Sequence, residues 1–307
     1  MSMTFKEVAE AYLEMPSAKF SEKVDMTRRL TEKLIDEFGD TDMKEFERKA
    51  IILKYQAKLK TQPKKRGSTG VISTGTQNTY LAVLRAIIRF AHDDLEVIDR
   101  VPKITLYQKN KREFYFEPEQ MIELCRRLDP LRASMVKFSC NTGLRASNVR
   151  LLRWDQLSDD YKWLSLSGSI TKNGEQNQIP LNAEARKILG EMRAHCFYMQ
   201  ERYPSLGELE YVFVKESHRR VANGKPFHKT SICNESWQKA VAMAGLPKGT
   251  CFHHCRHTFA SWHMMAGTSE TALQQLGGWR SESSMKRYTH LSQAHKAKAV
   301  KALDGMY

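Results

Sequence analysis

The chain has 307 residues, which is enough for two domains with separate hydrophobic cores, and its hydrophobic content of 41% is that of an ordinary water-soluble protein. No stretch approaches the length of a membrane span, and the charged, amphipathic first residues exclude a typical signal peptide. The formal net charge of +14 favours a polyanionic partner, most often nucleic acid, over a merely solvated basic surface.

The cysteine pattern gives no sign of a secreted disulfide scaffold. Six cysteines are spread thinly over a long chain: Cys125, Cys140, Cys196, Cys233, Cys251 and Cys255. Without a secretion signal, such cysteines are expected to be reduced thiols in a cytoplasm. We therefore expect a cytoplasmic protein that meets nucleic acid and no membrane.

The first hundred residues are predicted to form a cluster of four helices, beginning with an amphipathic segment at residues 5–13. Ser21 is placed to cap a second helix, which ends near Phe38 ahead of Gly39. Asp42 is placed to cap a third. The residues spaced along the predicted inner face of this third helix are Phe46, Ala50, Leu53 and Ala57. Those of the fourth are Tyr80, Leu84, Ile87, Ile88 and Ala91.

Two basic, polar stretches interrupt this pattern. Residues 54–66 carry six basic side chains and no acidic one, which indicates either a solvated helix end and loop or an edge that follows DNA phosphates. Residues 101–112 contain Pro102 and a basic run, as expected of an extended linker that lets two domains close on opposite faces of a duplex. The predicted organisation is a helical domain at 1–100, the linker at 101–112 and a second domain at 113–307.

The second domain is predicted to be mainly helical with a small antiparallel sheet. Around residues 161–181 the side chains alternate in character, and Asn173-Gly174 is a strong hairpin turn signal. Lys172 stands just before that turn. A lysine there is commonly only a solvated charge, and alternatively a mobile cation that reaches into a groove.

An arginine and an unusual histidine cluster are the next candidates for chemistry. Arg145 is expected in the first turn of a helix that starts near Leu144, beside exposed backbone N–H groups that favour an anion. In CFHHCRHTFA, residues 251–260, helical spacing places His253, Arg256 and His257 on one face. An arginine can bind two phosphate oxygens, and an imidazole can exchange a proton near neutral pH. Zinc is the alternative, but the paired-ligand spacing of known zinc sites is missing.

The last candidate segment is LQQLGGWRSESSMKRYTHLS, residues 273–292. Its Leu-Gly-Gly predicts the end of a helix. Trp279 follows, and then a predicted short helix that carries Tyr288 near its end. A tyrosine is normally a packing residue, so Tyr288 is only suggestive by itself.

Taken together, these segments resemble the tyrosine recombinases, or phage integrases. The matching motifs are TGLRASN, the TKNGEQNQIPL hairpin, HHCRHTFA and LGGWRSESSMKRYTH, and the resemblance covers essentially the whole chain. It implies a helical core-binding domain followed by an α+β catalytic domain. It also implies double-stranded DNA attachment sites as substrate, no cofactor and no metal.

The resemblance assigns a role to each matching position. Arg145 and Arg256 match the two arginines that hold the scissile phosphate, and Lys172 matches the hairpin lysine, our candidate for the general acid. His253 matches the histidine that acts as base or orients the phosphate, and Trp279 matches a site that packs and donates its N–H. Tyr288 matches the nucleophile.

The resemblance assigns no catalytic role to two further positions, His257 and Asn148. His257 matches a histidine that resembles a structural residue in the family. Asn148 replaces the acidic residue usual three positions after the first arginine, so the negative charge that would influence His253 is missing.

The function expected from the resemblance is site-specific recombination through a 3′-phosphotyrosyl intermediate, integrating or excising a prophage or genomic island in a bacterial or phage nucleoid. Alternatives are a type IB topoisomerase, a DNA-binding relative without activity and a zinc protein. Family membership would imply a homo-tetramer on DNA and leave room for a DNA-bending accessory protein. The C-terminal tail could dock on its own domain or on a neighbouring subunit. Because the core-binding pattern starts near residue 1, we expect no arm-binding domain ahead of it.

Overall fold

The computed structural model describes residues 2–15, 24–64, 69–108, 114–166, 177–216, 224–227, 232–279, 285 and 288. The chain divides into two compact units, Met1–Lys111 and Arg112–Tyr307. Within the described residues both are mainly helical, and the second contains a two-stranded antiparallel sheet. The predicted fold class is confirmed. No helix within the described ranges is both long enough and apolar enough to cross a membrane.

The described residues of the first unit form four α-helices. They are α1 (Phe5–Glu14), α2 (Val24–Phe38), α3 (Lys49–Thr61) and α4 (Thr74–Asp93). The starts of two of them follow from capping chemistry: Thr4 and Glu7 form a reciprocal capping box on α1, and the Ser73 hydroxyl caps α4. The five positions predicted to face inward on α4 are all buried. Ser21 lies outside the described residues.

The third helix differs from its prediction. Asp42 caps a short 3₁₀ helix, Met43–Glu47, which buries Phe46. The α-helix α3 starts only at Lys49, so its register is not continuous with the turn before it. As a result, the buried face carries Ile52, Tyr55 and Leu59, and the predicted Ala50, Leu53 and Ala57 are exposed. The prediction of a helix here is confirmed, but the predicted choice of its buried face is wrong.

Residues 101–108 have no regular secondary structure and pack on the first unit. Ile104 is buried in its core. Asn78 of α4 exchanges two hydrogen bonds with the Tyr107 backbone, each 2.8 Å long, and Gln56 donates to the Thr105 carbonyl at 2.9 Å. This part of the expected linker is therefore held by side chains of α3 and α4.

The second unit is built around a central helix. Its helices are α5 (Pro118–Arg127), α6 (Pro130–Thr142), α7 (Ala146–Arg150), α8 (Ala183–Arg202), α9 (Glu235–Met243), α10 (His253–Met265) and α11 (Glu270–Gly277). Helix α6 packs against α5, α8 and α10. The segment before α5 fixes α10 in turn, because the Phe116 N–H donates to Thr258 and its carbonyl accepts from the Trp262 indole.

The sheet consists of β1 (Trp163–Leu166) and β2 (Asn177–Pro180), paired antiparallel with Leu164 opposite Ile179. Both of these residues are buried in the core. The predicted hairpin is thus present in its two strands. Lys172 and the Asn173-Gly174 turn lie outside the described residues.

Candidate active site

Gly143 ends α6 and shapes the connection that carries Arg145. Its φ of +67° is left-handed, and its N–H donates to the Ser139 carbonyl at 2.9 Å. Leu144 is then buried, and its carbonyl accepts from the Ser139 hydroxyl at 3.1 Å. Arg145 has extended backbone angles and is the N-cap residue of α7, with its side chain exposed. The helix therefore begins at Ala146, two residues later than the sequence predicted.

Arg256 of α10 is buried and points back to this connection. It is 4% exposed, and its Nη1 donates to the Gly143 carbonyl at 2.6 Å. Burial, and after it the positive charge of Arg145, lowers the pKa of the guanidinium to about 9. Its Nη2 is buried without an acceptor among the described residues. A buried cation beside a second cation, with a donor still unsatisfied, is an environment that an anion would stabilise.

Trp279 covers Arg256 from one side. The Cζ atom of Arg256 lies 4.0 Å from the centre of the indole, a cation–π stack. The Trp279 backbone N–H donates to the Gln274 carbonyl, and the Gln274 amide donates to the Trp279 carbonyl, both at 3.1 Å. A Cβ on Gly277 would lie 1.6 Å from a carbon of the indole ring. The Leu-Gly-Gly-Trp motif is thus a helix end with room for the ring.

Tyr288 is buried beside the same group. It is 4% exposed and belongs to a small cluster with Phe259, Leu273 and Met285. Its ring centre lies 6.1 Å from that of Trp279. Its hydroxyl forms a 2.5 Å hydrogen bond with Nδ1 of His257. The tyrosine hydroxyl is therefore held by α10, the helix that also carries Arg256.

The remaining histidines of CFHHCRHTFA divide into two groups. His253 is the first residue of α10, is exposed, and sets its ring perpendicular to that of His257 at 4.8 Å between centres. His254 turns towards Cys251, whose backbone N–H donates to its Nδ1 at 2.9 Å. The same neighbour lowers the pKa of the Cys251 thiol.

The cysteines of this segment differ from one another. Cys255 is fully buried in the main core, whereas Cys251 is only partly buried. All six cysteines are free thiols. Across the part of the chain that the structure describes, no group of three or more His, Cys, Asp or Glu side chains is placed to hold a metal ion.

Of the six predicted site residues, the structure brings five to one place. Arg256 stacks on Trp279, whose ring lies near that of Tyr288, and Arg145 acts electrostatically on Arg256. His253 makes an edge-to-face ring contact with His257, the histidine that hydrogen-bonds Tyr288. Lys172 lies outside the described residues.

Residues 115–295, more than half of the chain, match the model of the phage integrase family. The chain belongs to the phage integrase family. Among its curated relatives, the integrase of Salmonella phage P22 is 28% identical over 241 residues, covering 76% of this chain and 59% of that protein. The tyrosine recombinase XerC of Lactobacillus delbrueckii subsp. bulgaricus is 26% identical over 236 residues, covering 73% and 75%. This integrase-family chain thus spans about three fifths of the P22 protein.

Solved structures show that the fold is that of an integrase. The Tn1549 transposon integrase in complex with circular intermediate DNA superposes with a TM-score of 0.73 at 18% identity, over 97% of this chain and 99% of that one. A lambda integrase dimer bound to a COC′ core site gives a TM-score of 0.65 at 16% identity, over 94% and 77%.

Sequence reasoning on this integrase-family chain missed three contributors to the site. His257 was assigned a structural role, although it holds the Tyr288 hydroxyl. Gly143 was assigned no role and Gly277 only that of ending a helix. Gly143 supplies the carbonyl that anchors Arg256, and Gly277 makes room for Trp279. The available signal was the position of His257 one turn after His253 and next to Arg256.

The departure at Asn148 has a local structural account. Asn148 lies in α7, where its N–H donates to the Arg145 carbonyl at 2.9 Å and its side-chain oxygen accepts from the Ser147 hydroxyl at 3.4 Å. An amide therefore stands in the turn that carries Arg145, and it adds no charge there.

The basic run of the first unit is only partly available to a ligand. Within its described portion, Lys58 pairs with Glu37 of α2, and the Lys60 ammonium lies 5.5 Å from the centre of the Tyr107 ring. Lys54 and Lys64 are exposed. Lys65 and Arg66 lie outside the described residues.

Proposed function

We propose that this chain is a site-specific recombinase that cuts and rejoins duplex DNA through a covalent 3′-phosphotyrosyl bond to Tyr288. The single observation that carries the proposal is the environment of Arg256. Its buried guanidinium has an unsatisfied donor, stacks on Trp279 and lies beside Arg145 and the Tyr288 hydroxyl. A phosphodiester is the anion that fits this arrangement best, because the Tyr288 hydroxyl beside it can act as the nucleophile.

The two arginines stabilise the reacting phosphate. Transfer of a phosphodiester to a hydroxyl places negative charge on the non-bridging oxygens, and positive groups fixed beforehand lower the barrier most effectively. Arg256 is fixed by the Gly143 carbonyl and by Trp279, so it is preorganised. Arg145 is exposed and approaches from the open side. His253, also exposed at the start of α10, is proposed to orient the same phosphate.

The chemical step exchanges one ester for another. The Tyr288 oxygen attacks phosphorus, the bond to the 5′-oxygen breaks, and that oxygen takes a proton, which we assign to Lys172. The phosphotyrosyl ester conserves the free energy of the broken bond, so a second 5′-hydroxyl can reseal the strand without ATP. The proposal uses no cofactor and no metal ion.

The division of labour along the chain is part of the proposal. Residues 1–100 are assigned to core-site binding, 101–112 to the link between domains and 113–307 to catalysis. The net charge of +14 supports binding to the DNA backbone. We assign the reaction to integration or excision of a prophage or genomic island in the nucleoid of a bacterium. It would be carried out by a homo-tetramer that an accessory DNA-bending protein assists.

Covalent trapping tests the proposal. Wild-type protein, Tyr288→Phe and the exposed-tyrosine control Tyr198→Phe are incubated with a pool of nicked suicide duplexes whose sequence around the nick is randomised. We expect a DNA-linked band on a denaturing gel with wild type and Tyr198→Phe, in EDTA as well, and none with Tyr288→Phe. Sequencing the trapped DNA then gives the target.

Other outcomes favour the alternatives. A pool that is bound tightly but never becomes covalently attached would favour a DNA-binding relative without activity. Relaxation of supercoiled plasmid without strand exchange between two trapped targets would favour a topoisomerase-like enzyme. A band that vanishes in EDTA would contradict the metal-free step.

A further inference from the structure

The hydroxyl of Tyr288 is hydrogen-bonded to His257, and not to His253, the histidine that the sequence predicted as a proton acceptor. His257 Nδ1 lies 2.5 Å from the Tyr288 oxygen, within hydrogen-bond reach of the proton that must leave when this oxygen attacks. The two ring centres are 5.8 Å apart and their planes are tilted by 49°. This contact joins α10 to a residue 31 positions later.

The local structure keeps this imidazole in place. His257 lies on α10 between two anchors of the helix: Arg256, bonded to Gly143, and Thr258, which accepts from the Phe116 N–H. Among the described residues, its titratable and charged neighbours include His253 and His254 on its own helix, with ring centres at 4.8 and 5.9 Å, then Arg256, Tyr288 and, beyond Arg256, Arg145.

We propose that His257 accepts the phenolic proton of Tyr288 as its oxygen bonds to phosphorus, which makes His257 a catalytic residue in addition to the six assigned above. This inference rests on the proposed function. The proton moves from Oη of Tyr288 to Nδ1 of His257, so the ring carries its first proton on Nε2 beforehand. The O–P bond to tyrosine forms, the bond to the 5′-oxygen breaks, and the leaving oxygen takes its own proton from Lys172. Resealing returns the proton from His257 to Tyr288.

This assignment separates the roles of the two neighbouring histidines. His253 is exposed at the first turn of α10, and its assigned role is to orient the phosphate. His257 is half-buried behind it and holds the nucleophile. An imidazole suits the inner position because its charge changes nearest to neutral pH among the side chains.

Two substitutions distinguish proton transfer from simple positioning. In His257→Asn, an amide oxygen takes the place of Nδ1 and can still accept the Tyr288 hydrogen bond, but it cannot take up the proton near neutral pH. In His257→Gln, the amide lies closer to the former Nε2 and loses the contact. We expect both variants to form the covalent adduct about 10²-fold more slowly than wild type at pH 7. The loss should shrink towards pH 10, where a phenol ionises without help.

A substrate with sulfur at the 5′-bridging position distinguishes loss of the proton donor to the leaving group from loss of the proton acceptor for Tyr288. A 5′-bridging phosphorothiolate leaves as a thiolate and needs no general acid, so it should rescue Lys172→Ala and leave the His257→Asn defect unchanged. The matched control is His263→Asn, on the same helix, whose Nδ1 bonds the Thr268 hydroxyl at 2.9 Å away from Tyr288. We expect it to react within about twofold of wild type, and thermal melting of each variant checks folding.

Each remaining result counts against one proposal or both. Wild-type speed in His257→Asn, or its rescue by sulfur, would overturn the role of His257 while leaving the recombinase proposal intact. If wild type forms no adduct with either substrate, the proposed function fails and the role of His257 fails with it. The wild-type lane of the same gel therefore tells the two failures apart.

Discussion

Arg256 and Trp279 form a stacked pair in which the guanidinium carbon lies 4.0 Å from the centre of the indole ring. Arg256 lies on α10 and Trp279 follows the end of α11, and neither position is informative about the other in the sequence. Stacking satisfies one face of a desolvated cation while its Nη2 edge stays unsatisfied. The pair therefore explains how an arginine that is almost fully buried can be kept charged and ready for a phosphate.

Substitution of Trp279 should reveal the value of this stack. Trp279→Phe keeps an aromatic face over Arg256, whereas Trp279→Leu removes it. A desolvated cation–π contact is worth roughly 2 kcal/mol, so we expect Trp279→Leu to form the covalent adduct about 30-fold more slowly than wild type and Trp279→Phe less than tenfold more slowly. Single-turnover rates on a trapped substrate measure this. Equal losses in the two variants would show that the aromatic face is irrelevant.

Gly277→Ala should displace Trp279 without touching it chemically. The added Cβ would overlap the indole ring at 1.6 Å, so the ring must leave its place over Arg256. The expected adduct rate is that of Trp279→Leu. Gly190→Ala on α8 is the matched control, because its Cβ meets nothing within 4 Å and alanine should stabilise that helix by up to about 1 kcal/mol. A fully active Gly277→Ala would mean that the indole does not need this place.

Gly143→Ala should impair both folding and the anchoring of Arg256. At a φ of +67° the substitution is strained, and its Cβ would lie 2.5 Å from the Phe259 ring. Gly245→Ala is the control, since its φ is +64° and nothing lies within 4 Å. We expect a loss of unfolding free energy of about 1 kcal/mol for the control and about 2–3 kcal/mol for Gly143→Ala. Urea denaturation measures both, and equal losses would refute the contact with Phe259.

The phase of α3 can be checked with two neighbouring residues. Ile52 is 1% exposed and Leu53 is 52% exposed. Ile52→Ala should reduce the unfolding free energy by about 2–4 kcal/mol, because it leaves a cavity in the core of the first unit. Leu53→Ala should change it by less than about 0.5 kcal/mol. A larger loss of unfolding free energy for Leu53→Ala than for Ile52→Ala would instead support the buried face predicted from the sequence.

The two partly buried cysteines beside α10 should differ in reactivity. The hydrogen bond from His254 lowers the pKa of Cys251, whereas burial raises the pKa of Cys233 to about 11. Because only the thiolate reacts, Cys251 should be alkylated by iodoacetamide first, and its rate should level off at a lower pH. His254→Ala should slow Cys251 and leave Cys233 unchanged. Mass spectrometry of timed samples gives both rates, and similar rates in the wild-type protein would contradict the assignment.

Helix starts and buried helix faces depend on local chemistry, so much of the fold can be predicted from the sequence. Capping residues such as Ser73 fix where helices start, and the apolar spacing of α4 fixes which side is buried. The prediction was wrong for α3 because a 3₁₀ turn at Met43–Glu47 precedes it. A one-residue offset rotates the buried face of a helix by about 100° around its axis. Spacing alone does not report such a change in the residues per turn.

The sequence by itself determined the family and the chemical groups present: two arginines, a histidine, a tryptophan and a tyrosine in motifs of the phage integrases. Only the tertiary structure decided which of them touch. The Arg256 anchor at Gly143 spans 113 positions and the His257 bond to Tyr288 spans 31. Such contacts arise when separate helices pack, and a hydrogen bond between distant residues leaves no periodic trace in the chain. For that reason the partner of the Tyr288 hydroxyl could be found only in the folded molecule.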